Sequence, residues 1–362
     1  MRSLSLVASV LLVLAMASSA LGQACPMGTL GDQCQCEVAN PGTFKITCTC
    51  KKGQDLVISD RSTVDLASTV TGFYIENCNS SVIVKSHAFD HLFNLEEISF
   101  RNIFKLSLES RSLDLENYNP KDFHLTIDSI LNLSLQKEAI QFEGHRGTRM
   151  GTAISIRNSF VIEMEPAAIA GSLKELEFER LIFGPRVQAG TVDVGSRGCE
   201  VSLSNCDIFH YGLDSDWIVG RVTHLSLVNN SLTLSPNAFS GITLVGHQPR
   251  LTLENNLLGL HENQTVPSLP SGSLDFNTSA PTGVRVEASN NHVNCKCLDL
   301  AWLLEKPSTL LKKQVRSSLV CTSGSINEAL AKCNGGKPSS ASAVSMTLQL
   351  TLAMLMVARW MT

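Results

Sequence analysis

The stretch NNHVNCKCLDLAWLL, residues 290 to 304, sets Cys295 and Cys297 one residue apart, beside His292 and Trp302. Those residue types suit three chemistries: metal ligation, thiol–disulfide exchange, or a structural bridge. A zinc site needs about four ligands at a characteristic spacing, and Cys295, Cys297 and His292 have no convincing fourth partner nearby. A redox dithiol usually has two residues between its cysteines, in surroundings that lower a thiol pKa. Structural disulfides are the better reading, and the chain supplies 12 cysteines, an even number, for them.

No other residue set suggests catalysis. The nucleophile elbow G-x-S-x-G, the zincin H-E-x-x-H, the phosphate-binding loop and the dinucleotide glycine pattern are all missing from the sequence. The nine histidines are scattered, and His124 and His224 fall among polar residues of expected strands, where a solvated side chain is the simplest account. The expectation is a protein without enzymatic activity, cofactor or metal.

The two ends indicate where such disulfides form. Arg2, an apolar run from Leu4 to Ala17 and the small-residue site Ala20-Leu21-Gly22 have the order of a secretory signal over residues 1–22, releasing Gln23. At the other end Asn334, Gly335 and Gly336, a polar spacer from Lys337 to Ser342 and an apolar run from Ala343 to Ala358 have the order of a glycosylphosphatidylinositol (GPI) anchor signal. That tail is short of the ~20 residues of a membrane-spanning helix. A lipid anchor at Asn334 or Gly335 is therefore expected, with residues 334–362 as its signal and the outer face of the plasma membrane as the location. A short single-pass receptor and a soluble secreted form are the alternatives.

Trimming both ends removes Arg2, Lys337 and Arg359 and no acid, leaving 26 basic against 33 acidic residues, a net charge of −7. Nucleic acid, which draws on clustered Lys and Arg, is a poor partner for such a surface. Five Asn-x-Ser/Thr sequons, at Asn79, Asn132, Asn229, Asn263 and Asn277, predict a glycoprotein.

The elements that hold these residues emerge as a period. Apolar-x-apolar segments followed two residues later by Asn, Cys or another apolar residue begin at Phe73, Ile98, Leu125, Ile154, Leu176, Val201, Leu225, Leu251 and Val286. The steps between them are 25, 27, 29, 22, 25, 24, 26 and 35 residues. So narrow a spread predicts a stacked solenoid, whose core exists only where neighbouring repeats pack.

The segments VTHLSLVNNSL (Val222 to Leu232) and LKELEFERL (Leu173 to Leu181) closely fit L-x-x-L-x-L-x-x-N/C-x-L. On these motifs the chain resembles the extracellular leucine-rich repeat proteins. The resemblance covers roughly residues 25 to 333. It implies a curved α/β solenoid of about nine repeats, with a parallel sheet on the concave face and irregular or short helical convex segments. The family's inward position after each strand is here Cys78, Ile103, Ile130, Ser159, Leu181, Cys206, Asn230, Asn256 and Asn291. Asparagine, which satisfies backbone groups in the usual repeat, stands only in the last three. Irregular turns are therefore expected between Ile103 and Leu181.

The family's solenoids close with cysteine caps, expected here over residues 23–60 and 294–333 on either side of repeats at 61–293. The resemblance implies the pairs Cys25 with Cys36, Cys34 with Cys48, Cys295 with Cys321, and Cys297 with Cys333, with Trp302 and Leu303 in a short apolar helix over the last rung. Cys78 lies on a buried position one rung beyond Cys50, which favours a bridge between them. Cys199 and Cys206 flank a strand, about 20 Å apart in extended chain, beyond the ~7 Å a bridge tolerates.

Binding, rather than chemistry, is then the expected function, on strand side chains that alternate with the buried ones. These include Tyr74, Arg101, Arg157, Glu175, Glu177, Glu179 and Glu200. With strands ~4.8 Å apart, the four glutamates form an acidic patch bordered by Arg157. The expected partner is an extracellular or cell-surface protein, basic where it meets that patch.

Overall fold

A computed structural model describes residues 28–40, 42–66, 69–115, 122–142, 151–184, 186–259, 269–280, 283–295 and 310–321, together with 326, 328 and 329. The signal segment, Cys25, Asn263, Cys297, Trp302, Leu303, Cys333 and the anchor residues Asn334 and Gly335 lie outside them.

The chain forms a parallel β-solenoid of about nine turns. Its first sheet begins with Thr43–Thr49, and the nine expected strand starts align across it, from Phe73 beside Ile98 to Leu251 beside Val286. One rung precedes them: Ile46 pairs with Phe73, so the N-terminal cap contributes a strand of the same sheet. An antiparallel strand, Cys34–Asn40, then lies against Thr43–Thr49. Period-two alternation explains the register. Ile46, Phe73, Ile98, Leu125, Ile154, Leu176, Val201, Leu225 and Leu251 are buried, as are the residues two positions on, Cys48 to Leu253. Each such side chain contributes about 1.5–3 kcal/mol on leaving water, and a one-residue slip would expose every one of them.

A corner follows each first-sheet strand, built on one residue with positive φ: Asn77, Asn102, Ser129, Asn158, Arg180, Asn205, Asn229, Asn255 and Asn290. Asparagine is the non-glycine residue that best tolerates this left-handed backbone, and it fills most of the row. The next position, Cys78 to Asn291, which the repeat pattern marks, is buried on every rung. In the C-terminal rungs that inward row is a ladder of buried amides. Asn230 Nδ2 donates to Leu203 O at 2.9 Å and to Asn256 Oδ1 at 3.1 Å; Asn256 Nδ2 donates to Leu227 O and to Asn291 Oδ1, both at 2.8 Å. The N-terminal rungs satisfy the corner differently. Where the inward residue is Cys78, Ile103 or Ile130, one long strand runs through the corner: Val70–Val84, Glu97–Leu108 and Phe123–Leu135. Continued strand pairing thus replaces the side-chain amide, and at Ile130 the hydroxyl of Ser159 accepts the main-chain N–H at 3.1 Å.

Past the corner a second parallel sheet runs the length of the solenoid, from Leu56–Ile58 through Phe160–Met164, Ser231–Leu234 and Asn291–Val293 to Leu319–Cys321. The return at 85–96 is a run of turns, as expected, whereas from Leu113 onward returns carry short strands in place of the expected irregular or helical form. Leu113–Asp114, Ile140–Phe142, Ile169–Gly171 and Val192–Asp193 pair in turn, reaching Ile218, and Ile242–Leu244 and Asn277–Thr278 continue on the same side. Short stretches of these returns alternate buried apolar residues with more exposed ones, as in Val192-Asp193-Val194, where Asp193 is exposed between two buried valines. They are also too short to pay the nucleation cost of a helix. Among the described residues helix lies only toward the two ends, as the 3-10 segment Gly28–Gln33, as Asp60–Thr63 with the 3-10 turn Val64–Leu66, as Leu310–Ser317, which buries Leu311 and Val315, and at residues 326, 328 and 329.

Cys34 bonds Cys48, Cys50 bonds Cys78, and Cys295 bonds Cys321. Cys36 is also disulfide-bonded. Bridges at both ends of the solenoid fit an oxidising compartment. Cys199 and Cys206 are buried free thiols. Burial pushes the first up to about 12 and the second to about 11, so neither carries appreciable thiolate at neutral pH. Both are expected to resist iodoacetamide at pH 7.5 in the native protein and to alkylate fully in denaturant, as read by peptide mass. Rapid native labelling of either would contradict their burial.

Candidate functional site

The outward side of the first sheet carries every strand residue singled out for binding. Three rows of side chains run along it, and rung-to-rung pairing fixes their neighbours. Gly72, Glu97, His124, Ala153, Glu175, Glu200, His224, Arg250 and Arg285 form one row. Tyr74, Ser155 and Glu177 belong to the second, and Glu76, Arg101, Asp128, Arg157 and Glu179 to the third.

Tyr74 is the aromatic anchor of this face. Its ring lies beside Gly72, where a Cβ would stand 2.8 Å from Tyr74 Cε2, so only glycine leaves room for it. The phenol donates to Glu97 Oε2 at 2.6 Å, and Lys45 Nζ stands 5.5 Å from the ring centroid. Burial raises the phenol pKa first, and the Glu97 hydrogen bond and charge raise it further. Tyr74 therefore stays neutral, and its hydrogen bond to Glu97 holds it in one orientation. Tyr74 is part-buried, and the exposed Arg101 follows on the next rung, beside Glu76.

The acidic patch is narrower than residue types alone suggest. Arg157 reaches across to Glu177, with Nη2 to Oε2 at 2.8 Å, and lies 3.8 Å from Glu179. Ser155 Oγ donates to the same Glu177 oxygen at 2.7 Å. Arg180, the left-handed corner residue, pairs with the other oxygen of Glu179. These partly exposed pairs add little stability, but they neutralise two of the four carboxylates. Glu175 and Glu200 remain, exposed and opposite each other on adjacent strands. His224 follows Glu200 in the row but offers no compensating charge: burial first, and then Arg250, hold its pKa below the usual imidazole value. Its Nε2 instead lies 3.3 Å from Thr252 Oγ1. Lys174, beside Glu175, pairs with Asp122 at 3.0 Å.

The described sequons all lie off these three rows. Asn79 and Asn229 are exposed at the corner, Asn132 is on the second sheet, and Asn277 is on the third side. Among the described residues no group of three or more His, Cys, Asp or Glu side chains is placed to hold a metal ion, and no helix is long and apolar enough to cross a membrane. No family model matches the chain, no curated protein matches it, and no solved structure matches it.

Proposed function

We propose that the chain is a non-enzymatic extracellular recognition protein of the leucine-rich repeat type, displayed on the cell surface by a GPI anchor, that binds a protein partner through the outward face of its first sheet. One observation carries this reading: a rigid, polar, multi-strand face that no described sequon interrupts, with a fixed tyrosine at one end and, near its middle, two adjacent carboxylates that form no direct ion pair among the described residues. A partner presenting Lys or Arg opposite Glu175 and Glu200 gains charge complementarity there, and Tyr74 supplies low-entropy apolar contact.

The test is a pairwise screen of the ectodomain against cell-surface and secreted proteins, repeated with Glu175→Lys/Glu200→Lys and with Tyr74→Ala. The double reversal is expected to weaken capture of the partner about tenfold or more at low salt, less at high salt, with the melting temperature little changed because, among the described residues, neither exposed carboxylate forms a direct ion pair. Capture unaffected by both variants would place the binding face elsewhere. Release of the protein from intact cells by a phosphatidylinositol-specific phospholipase tests the anchor separately.

A further inference from the structure

We infer that an N-linked glycan on Asn132 covers an apolar ridge on the corner between the first and second sheets. Phe104, Leu131 and Ile182 are each about half exposed, at 50%, 59% and 51%, and Phe160 is partly exposed. They fall on four successive rungs. Ile103 pairs with Ile130 and Lys105 with Asn132, which sets Phe104 beside Leu131, and Phe160 pairs with Ile182. Between these pairs, Val161 stands beside Leu133, which sets Phe160 level with Asn132 itself. At ~4.8 Å per rung the ridge is about 14 Å long. Single exposed apolar residues are ordinary on a protein surface; four on successive rungs at one corner, with Asn132 level with Phe160 in their midst and Asp207 beside Ile182 on the next rung, call for a cover.

The geometry of Asn132 points to what that cover is. It heads the sequon Asn132-Leu133-Ser134, directly follows Leu131 in sequence, and its Nδ2 donates to Phe104 O at 3.3 Å. Nδ2 is the atom to which an N-glycan attaches. An amide nitrogen has two hydrogens, so one remains after glycosylation to keep the bond to Phe104 O. The first sugar is thereby rooted against the two most N-terminal residues of the ridge. The axial C–H groups of a pyranose pack on an aromatic or aliphatic side chain, while its hydroxyls face water, which is the amphipathic layer such a ridge requires. Asn79 is exposed one rung before Phe104, with no hydrogen bond from its amide to the ridge among the described residues. Asn229 is the exposed corner residue two rungs beyond Ile182, and Asn277 Nδ2 donates to Ser240 O on the third side.

This inference rests on the secretory reading above, and one experiment separates the two. The full chain is secreted from eukaryotic cells, and site occupancy is read by peptide mass before and after enzymatic deglycosylation. Asn132→Gln is then compared with Asn229→Gln by apolar-dye fluorescence and sedimentation. To avoid depending on how Asn132→Gln folds, glycan is also cleaved from the folded wild-type protein. Occupied Asn132, with a several-fold rise in dye fluorescence and self-association in Asn132→Gln and in the deglycosylated protein but not in Asn229→Gln, is the expected result. Adding Phe104→Ser and Leu131→Ser should restore the low signal and the monomer. An unmodified Asn132 beside modified Asn79 or Asn229, or a bare ridge with unchanged dye binding and sedimentation, overturns the inference while leaving secretion intact. A protein unmodified at every sequon overturns both.

Discussion

Replacing Asn256 by Leu is expected to destabilise the C-terminal half of the solenoid by about 2–5 kcal/mol, since each buried polar group left without a partner costs about 1–3 kcal/mol. Asn256 is 1% exposed and links three rungs. Its Oδ1 accepts from the main-chain N–H of Asn230 at 3.0 Å and from Asn230 Nδ2 at 3.1 Å, and its Nδ2 serves Leu227 O and Asn291 Oδ1. Leucine, close in volume, removes all four bonds and strands at least the Asn230 N–H and the Leu227 carbonyl in an apolar interior. Asn255 provides the contrast. It is the exposed left-handed residue of the same corner, with φ 55°, so Asn255→Ala loses backbone preference, about 1–2 kcal/mol, and one solvent-exposed hydrogen bond, from Asn290 Nδ2 at 3.3 Å. Each turn contacts only its neighbours, so the damage should be local. Hydrogen exchange should show the amides of residues 227–257 losing protection first, with those around Ile103 and Ile130 keeping theirs. Equal loss along the whole chain, or an Asn256→Leu protein as stable as Asn255→Ala, would mean that the ladder is not what holds these rungs.

Those two asparagines also show where the sequence was transparent and where it was not. All nine strand starts from Phe73 to Val286 were readable because a two-residue alternation of buried and exposed side chains permits one register only. The corner was harder. The repeat pattern draws attention to the inward position, where Asn occurs three times, yet the more regular asparagine row is the one just before it, selected by a backbone angle that composition does not display. The third-side strands were also visible in principle, in returns such as Thr191-Val192-Asp193-Val194, but pairs of two or three residues lie below the length at which alternation is persuasive. At the candidate site, strand alternation was enough to put Tyr74 and the glutamates on one face. It could not show that Arg157 turns toward Glu177 or that Arg180 reaches Glu179, because side-chain direction across a rung depends on rotamers and on the corner conformation. The patch therefore contracted from four carboxylates to the pair Glu175 and Glu200.

A signal that did lie open in the sequence is a glycine at near-constant spacing, Gly171, Gly195 and Gly220, and it leads to the second large effect. Gly195→Ala is expected to cost about 3–5 kcal/mol by combining a left-handed backbone penalty with overpacking. Gly195 has φ +77°, and a Cβ there would lie 2.7 Å from Gly171 O and 3.2 Å from Ser172 Cα, both backbone atoms that no side-chain rotation can move aside. Gly220 repeats the arrangement one rung on, with a Cβ 2.8 Å from Gly195 O. The three glycines thus stack backbone on backbone, and Gly195 O accepts the Arg221 N–H at 2.9 Å within the stack. Pushing Gly195 away to admit a methyl group would also lengthen that bond. Gly53 isolates the steric part: its φ is +75°, nearly the same, but nothing lies within 4 Å of its Cβ position. Gly53→Ala should therefore lose only the conformational share, about 1–2 kcal/mol. Denaturant midpoints for the two alanine variants test the difference directly. If they coincide, close stacking of the third corner contributes nothing, and the glycines are there for their backbone angles alone.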